Sequence, residues 1–139
     1  MAYKFSQRSI DNMRGIHPKL IGVLFLALNK SSIDFTVTDG LRTTTQQQAL
    51  YAQGRTKPGA IVTNADGVKS KSNHQEKSDG FGHAIDLYPY YNGMVQLNDN
   101  ASLKKIAVTI SEAAMQLGVA IKWGGEFTSI ADYPHFELA

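Results

Sequence analysis

Three of the four histidines in this chain, with Asp86 and Asp132 beside them, fall in two short stretches, Ser72 to Asp86 and Asp132-Tyr-Pro-His135. Imidazoles and carboxylates gathered in this way are the ligand set of a divalent metal, and zinc is the expected ion. Asp86 lies in Ala84-Ile85-Asp86-Leu87-Tyr88, a short alternating run that reads as a half-buried strand with Ile85 and Leu87 inward and Asp86 on the other face. A carboxylate held there is costly unless something pairs with it. Ala84, two residues earlier on the same face, leaves room for a ligand, and His74 in the preceding loop can fold back over it. His135 opens a second alternating run, with Phe136 and Leu138 inward and His135 outward. Two imidazoles and one carboxylate leave a tetrahedral zinc one open position, which is the catalytic arrangement. Asp132, three residues before His135 across a turn containing Pro134, is placed beside that position as a general base.

Other assignments of the same residues stand beside this one. His83 directly precedes the Asp86 strand and competes with His74 as a ligand. Glu137 shares a face with His135 and is a rival base, although inside a strand an orienting or exposed role suits it better. A Ser72-His-Asp nucleophilic triad is a further reading, but no Gly-x-Ser-x-Gly elbow is present. His17, beside Pro18, reads as an ordinary surface histidine.

The elements that must position these groups can be read along the chain. Residues up to Gly15 are polar and predict a short helix and a turn; Pro18 at a first helical position starts a helix through about Asn29. Phe35-Thr-Val-Thr38 alternates as a strand and ends at Asp39-Gly40. After Leu41-Arg42-Thr43 comes a helix in which Thr44 and Gln47 have capping-box spacing, stopping near Gly54. Arg42 therefore sits at a strand-to-helix junction, where on its own it reads as a surface ion-pair partner. Arg55 to His83 shows little periodicity and reads as a long cleft-lining loop. Pro89 to Gly93 reads as a connection, with Asn92-Gly93 a hairpin signal before Met94-Val95-Gln96. Ser102 to Leu117 is an amphipathic helix stopped by Gly118, followed by a strand at Ala120 to Trp123, with one edge of Trp123 expected toward the cleft.

Composition narrows the class. A chain of 139 residues fits one domain with its own core. With no cysteine, disulfides and thiolate metal sites are excluded. A net charge of +2 and a pI near 8.8 are too mild to argue for nucleic acid, and lysines 57, 69, 71 and 77 read singly as a solvated face. Leu20 to Leu28 is nearly all apolar but too short to span a bilayer, and no small-residue cleavage site follows it, so a buried helix is expected rather than a signal peptide.

Ser72-x-His74, Gly82-x-Ala84-x-Asp86, Trp123-Gly124-Gly125 and Asp132-x-x-His135, together with Gly40-Leu41-Arg42-Thr43, resemble the zinc peptidoglycan peptidases of the D-Ala-D-Ala carboxypeptidase and L-alanyl-D-glutamate endopeptidase superfamily. The pattern is most similar to short bacteriophage endolysins and covers roughly Phe35 to Leu138. The chain departs from it at Gln75 to Phe81, where the family has only two residues between histidine and glycine. The resemblance implies that His74, Asp86 and His135 bind zinc, that Asp132 is the base and that Arg42 contacts substrate. It ranks His74 above His83 on the Ser72-x-His74 match. It further implies an α+β fold, a small mostly antiparallel sheet with helices packed on one face and the site on the other. Residues 1–139 are then a single zinc peptidase domain without a separate wall-binding domain. The expected protein is a monomer acting on peptidoglycan, with no nucleic-acid partner and no stable membrane association. It would be made in the bacterial cytoplasm without a signal peptide and act on the wall after release. Both a D-Ala-D-Ala carboxypeptidase and a metal-containing wall-binding module remain alternatives to the L-Ala to D-Glu endopeptidase.

Overall fold

A computed structural model describes residues 2–139. Four helices, α1 (Gln7–Asn12), α2 (Pro18–Lys30), α3 (Thr44–Ala52) and α4 (Asn100–Leu117), accompany five strands. The strands are β1 (Phe35–Asp39), β2 (Ala84–Tyr91), β3 (Met94–Val95), β4 (Ile121–Trp123) and β5 (His135–Leu138), and a single 3-10 turn spans Gly124–Glu126. The strand order is β1-β2-β5-β4, with β3 added to the far end of β2 as a hairpin, and every pairing is antiparallel. This is a small α+β domain. Among the described residues, no helix is long and apolar enough to cross a membrane.

Alternation along the strands divides the sheet into two chemically different faces. Phe35, Val37, Ile85, Leu87 and Phe136 are all at most 2% exposed and face α2 and α4. Those helices return Leu20, Val23, Leu24, Ala27 and Leu28 from α2, and Leu103, Ile106, Ala107, Ile110, Ala113 and Ala114 from α4, at helical spacing. Each large side chain removed from water here contributes about 1.5–3 kcal/mol. The residues between them, Asp86, His135 and Glu137, are thereby turned to the opposite face. The β2–β5 register sets Asp86 directly against His135 and Ala84 against Glu137. Between Val37 and Asp39 the β1–β2 register shifts by one residue, a bulge that brings Asp39 opposite Asp86 as the chain leaves the sheet toward Arg42.

Three local expectations are corrected. The capping box of α3 uses Thr43 and Gln46, with Gln46 N donating to Thr43 Oγ1 at 3.1 Å and Thr43 N to Gln46 Oε1 at 2.8 Å. Thr43-Thr-Thr-Gln-Gln-Gln48 offers this spacing in three registers, and the fully buried Gln47 decides among them because its side chain is needed inward. Pro89 does not end β2, which continues to Tyr91. Leu87 N donates to Pro134 O on the β5 side and Tyr90 N to Asp34 O on the β1 side, so the N–H that Pro89 lacks would point past the start of β5 to the end of the β3 hairpin. There Gln96 N still donates to Pro89 O at 2.9 Å, and only the reciprocal bond is lost. Trp123 turns away from the cleft: its Nε1 donates to Tyr133 O at 2.7 Å and its ring lines a groove beside α4 with Val108 and Met115.

Candidate metal centre

Three side-chain atoms converge above the polar face of the sheet. His74 Nε2 lies 3.3 Å from Asp86 Oδ1, His135 Nδ1 lies 3.4 Å from the same oxygen, and the two nitrogens are 3.2 Å apart. Ligand atoms about 2.0–2.1 Å from a tetrahedral ion stand roughly 3.3–3.4 Å from one another, so this triangle has the size that a metal of that kind requires. Among the described residues no other group of three His, Cys, Asp or Glu closes in this way.

The protons on the two rings are set from outside the triangle. His74 Nδ1 is 2.9 Å from Gly40 O, which only accepts, so this nitrogen carries the hydrogen and Nε2 presents its lone pair. His135 Nε2 is 2.7 Å from Glu137 Oε1, and the other Glu137 oxygen accepts from Asn73 Nδ2. That bond places the hydrogen on Nε2 and the lone pair on Nδ1. Asp86 Oδ1 is buried and has no hydrogen-bond partner. Three lone pairs thus face one point, an arrangement that needs a cation between them, and the donor set fits a divalent metal.

Without a metal, a proton takes that place. Burial opposes charge on His135, but the carboxylates of Asp86 and Glu137 outweigh it and raise its pKa to about 9. Burial likewise works against the Asp86 carboxylate, yet the His135 and His74 rings hold it well below the usual range. Asp132 Oδ2 stands 3.8 Å from His135 Nδ1 at the edge of the triangle. Its pKa is raised, first by burial and then by the charge of Asp86, which is the direction a general base needs.

Backbone contact fixes Asp132 in that place. Asp132 N donates to Gly124 O at 2.9 Å, and a Cβ on Gly124 would lie 2.1 Å from Asp132 O and 2.9 Å from His135 Cβ. Only glycine lets the 3-10 turn and the Asp132 turn approach this closely.

Arg42 borders the triangle on the α3 side. Nη1 donates to Gln47 Oε1 at 2.7 Å, and Nη2 pairs with Asp39 Oδ2 and lies 3.9 Å from Asp86 Oδ2. Gln47 in turn donates from Nε2 to Ala65 O at 2.9 Å, tying the arginine to the long loop. Arg42 N donates to His74 O at 2.8 Å, so one backbone contact holds the arginine and the histidine together. These groups open on a cleft of about 630 Å³ whose walls include Asn64, Ser72, Tyr88, Phe127 and Ile130. The loop from Arg55 to His83 forms one wall, as its composition suggested.

The structure brings His74, Asp86, His135, Asp132 and Arg42 to one place and leaves His83 outside it. His83 Nε2 bonds Asp79 Oδ2 at 2.7 Å, and its ring stands edge-on to His17. Glu137 lies beneath His135 rather than beside Asp132, so it orients the ring. Sequence reading missed Asn73, Gln47 and Tyr88. Tyr88 was within reach of the same alternation that found Asp86, since it is two residues farther along one strand face. Burial and then the charges of Asp86 and Asp132 raise its pKa.

Residues 1–138 match the family model described as phage L-alanyl-D-glutamate peptidase. The L-alanyl-D-glutamate peptidase of Escherichia phage T5 is 30% identical over 138 residues, covering 99% of this chain and 90% of that protein. The peptidoglycan L-alanyl-D-glutamate endopeptidase CwlK of Bacillus subtilis (strain 168) is 37% identical, covering 96% of this chain and 81% of its own. The crystal structure of the Serratia marcescens L-Ala D-Glu endopeptidase ChiX superposes with a TM-score of 0.74 at 30% identity, over 99% of this chain and 91% of that one. A match that runs through every element from α1 to β5 leaves no part of the fold outside it, and the chain belongs to the phage L-alanyl-D-glutamate peptidase family.

Proposed function

We propose that this protein hydrolyses peptidoglycan stem peptides at the bond between L-alanine and D-glutamate, with zinc held by His74, Asp86 and His135. The observation that carries the reading is the triangle of lone pairs around the unpartnered Asp86 Oδ1, with Asp132 at its edge. Zinc supplies Lewis-acid polarisation of the scissile carbonyl and brings the pKa of a water toward neutrality. Asp132 takes the proton of the attacking water as the new C–O bond forms, and returns it to the amide nitrogen as the C–N bond breaks. Glu137 keeps the His135 proton on Nε2 throughout, and Gly40 O does the same for His74 through Nδ1. Arg42, held by Asp39 and Gln47, keeps part of its fork for the free α-carboxylate of the D-glutamate residue.

The chain works as a single catalytic domain and as a monomer on the cell wall, in phage-type lysis or wall turnover. Mass spectrometry of purified peptidoglycan after digestion, with and without a chelator, tests this. Fragments with a new D-glutamate amino terminus, lost on chelation, are expected. Release of free D-alanine alone would make the protein a carboxypeptidase, and binding without any product would make it a wall-binding module.

A further inference from the structure

Around the triad the cleft carries carboxylates, and donors such as Lys71, Ser72 and Asn64 come from the long loop. Asp86, Asp132 and Glu137 are carboxylates, Asn73 spends its amide on Glu137, and two N–H groups of Arg42 are taken by Gln47 and Asp39. A peptide laid over this floor brings further acceptors, its carbonyl oxygens, and carboxylates repel them unless a donor intervenes. Tyr88 is the one tyrosine that lines the cleft.

Its position follows from the strand. Tyr88 shares a face with Asp86 and pairs with Thr36 across β1, so it stands two residues, about 6.6 Å, along β2 from the ligand. Its ring packs against the edge of the core, which fixes its direction. Its hydroxyl has no hydrogen-bond partner among the described residues, and the one buried side-chain atom left unpaired there is Asp86 Oδ1, so the hydroxyl meets solvent. With its ring against the core and its hydroxyl in solvent, Tyr88 is able to donate to a ligand, whereas the exposed Tyr91 already donates its hydroxyl to Asp99 at 2.7 Å.

Resting on the peptidase reading above, we propose that the Tyr88 hydroxyl is a substrate-positioning donor that takes a carbonyl oxygen of the bound stem peptide. Tyr88 stands two residues along the strand from Asp86, about 6.6 Å between backbone positions, so its hydroxyl is assigned to a carbonyl other than the reacting one. Its contribution is equal in the ground and transition states and belongs to KM rather than kcat.

The test uses zinc-loaded protein and the substitution Tyr88→Phe, which removes the hydroxyl and keeps the ring. With a synthetic stem peptide, KM should rise about three- to tenfold and kcat stay within about twofold, the size of one neutral hydrogen bond. Calorimetric Kd for the same peptide on an Asp132→Asn background should rise by the same factor when Tyr88→Phe is added. Zinc content and Tm should not move, which separates this role from packing. An unchanged KM and Kd would overturn the proposal, as would a loss confined to kcat. Cleavage by wild type at another bond, or none, would instead overturn the peptidase reading, and the binding comparison would still decide the role of Tyr88.

Discussion

Asp86 and His135 face each other across the β2–β5 register, with Asp86 Oδ1 3.4 Å from His135 Nδ1 and no hydrogen bond satisfying that buried oxygen. The strand pairing therefore brings together two of the three side chains that could hold a metal, and the loop delivers His74 as the third. Replacing His74, Asp86 or His135 by alanine should cost metal and activity together, because two remaining ligands hold zinc poorly. His83→Ala should leave metal in place, since that ring is bonded to Asp79. Elemental analysis of each purified variant checks this, and full zinc in His74→Ala would refute the ligand set.

Metal binding should release protons at neutral pH. In the metal-free protein the His135 pKa is raised to about 9, so a proton occupies the ring at pH 7 and must leave before Nδ1 can ligate. A raised folded pKa stabilises below the unfolded value near 6.5, and that stabilisation is lost as pH climbs through about 9. Asp86 is held low, so its part is present above the ordinary carboxylate range and lost on acidification. Zinc affinity should accordingly rise about tenfold per pH unit between roughly 6.5 and 9, where one proton is displaced per ion. Calorimetry at pH 7 in buffers of different ionisation enthalpy should show about one proton released, and a buffer-independent heat would contradict it.

Asp132 and Glu137 should separate cleanly by readout. Asp132→Asn keeps shape but accepts no proton, so turnover should fall roughly 10²- to 10⁴-fold with zinc retained. Glu137→Gln loosens the proton placement on His135, so metal affinity should drop about 10- to 100-fold. Activity of the Glu137 variant should then recover at high zinc, which the Asp132 variant would not do. Near-normal turnover in Asp132→Asn would move the base role elsewhere.

Much of this site was legible because strand alternation is a rule of period two. It placed Asp86 and His135 outward from the inward Ile85, Leu87, Phe136 and Leu138, and the same rule would have flagged Tyr88. Loop-borne contacts obey no such period. Asn73 reaches Glu137 across 64 positions, and Gln47 reaches Arg42 and Ala65 from a helix whose Thr-Gln repeat left its register open. The length of β2 was obscured by Pro89, whose missing donor costs only one reciprocal bond at the end of the β3 hairpin. His83 is held away from the triad by Asp79, a partner supplied by the Gln75 to Phe81 stretch that departs from the family pattern.

Arg42 offers the sharpest test of substrate choice. Its guanidinium is braced on two sides, Nη1 by the buried Gln47 and Nη2 by Asp39, so its plane is fixed relative to the triad. A planar fork held in this way suits a carboxylate taken through two parallel hydrogen bonds. Arg42→Lys keeps the charge and gives up both the fork and the Gln47 brace, since an ammonium cannot serve two fixed directions and the substrate at once. Catalytic efficiency on a stem peptide with a free D-glutamate α-carboxylate should fall about 10- to 100-fold, with zinc content unchanged. On the same peptide with that carboxylate amidated, wild type should already be impaired and Arg42→Lys should add little, because the lost partner is common to both changes. Equal sensitivity of wild type and variant to amidation would remove the carboxylate from Arg42.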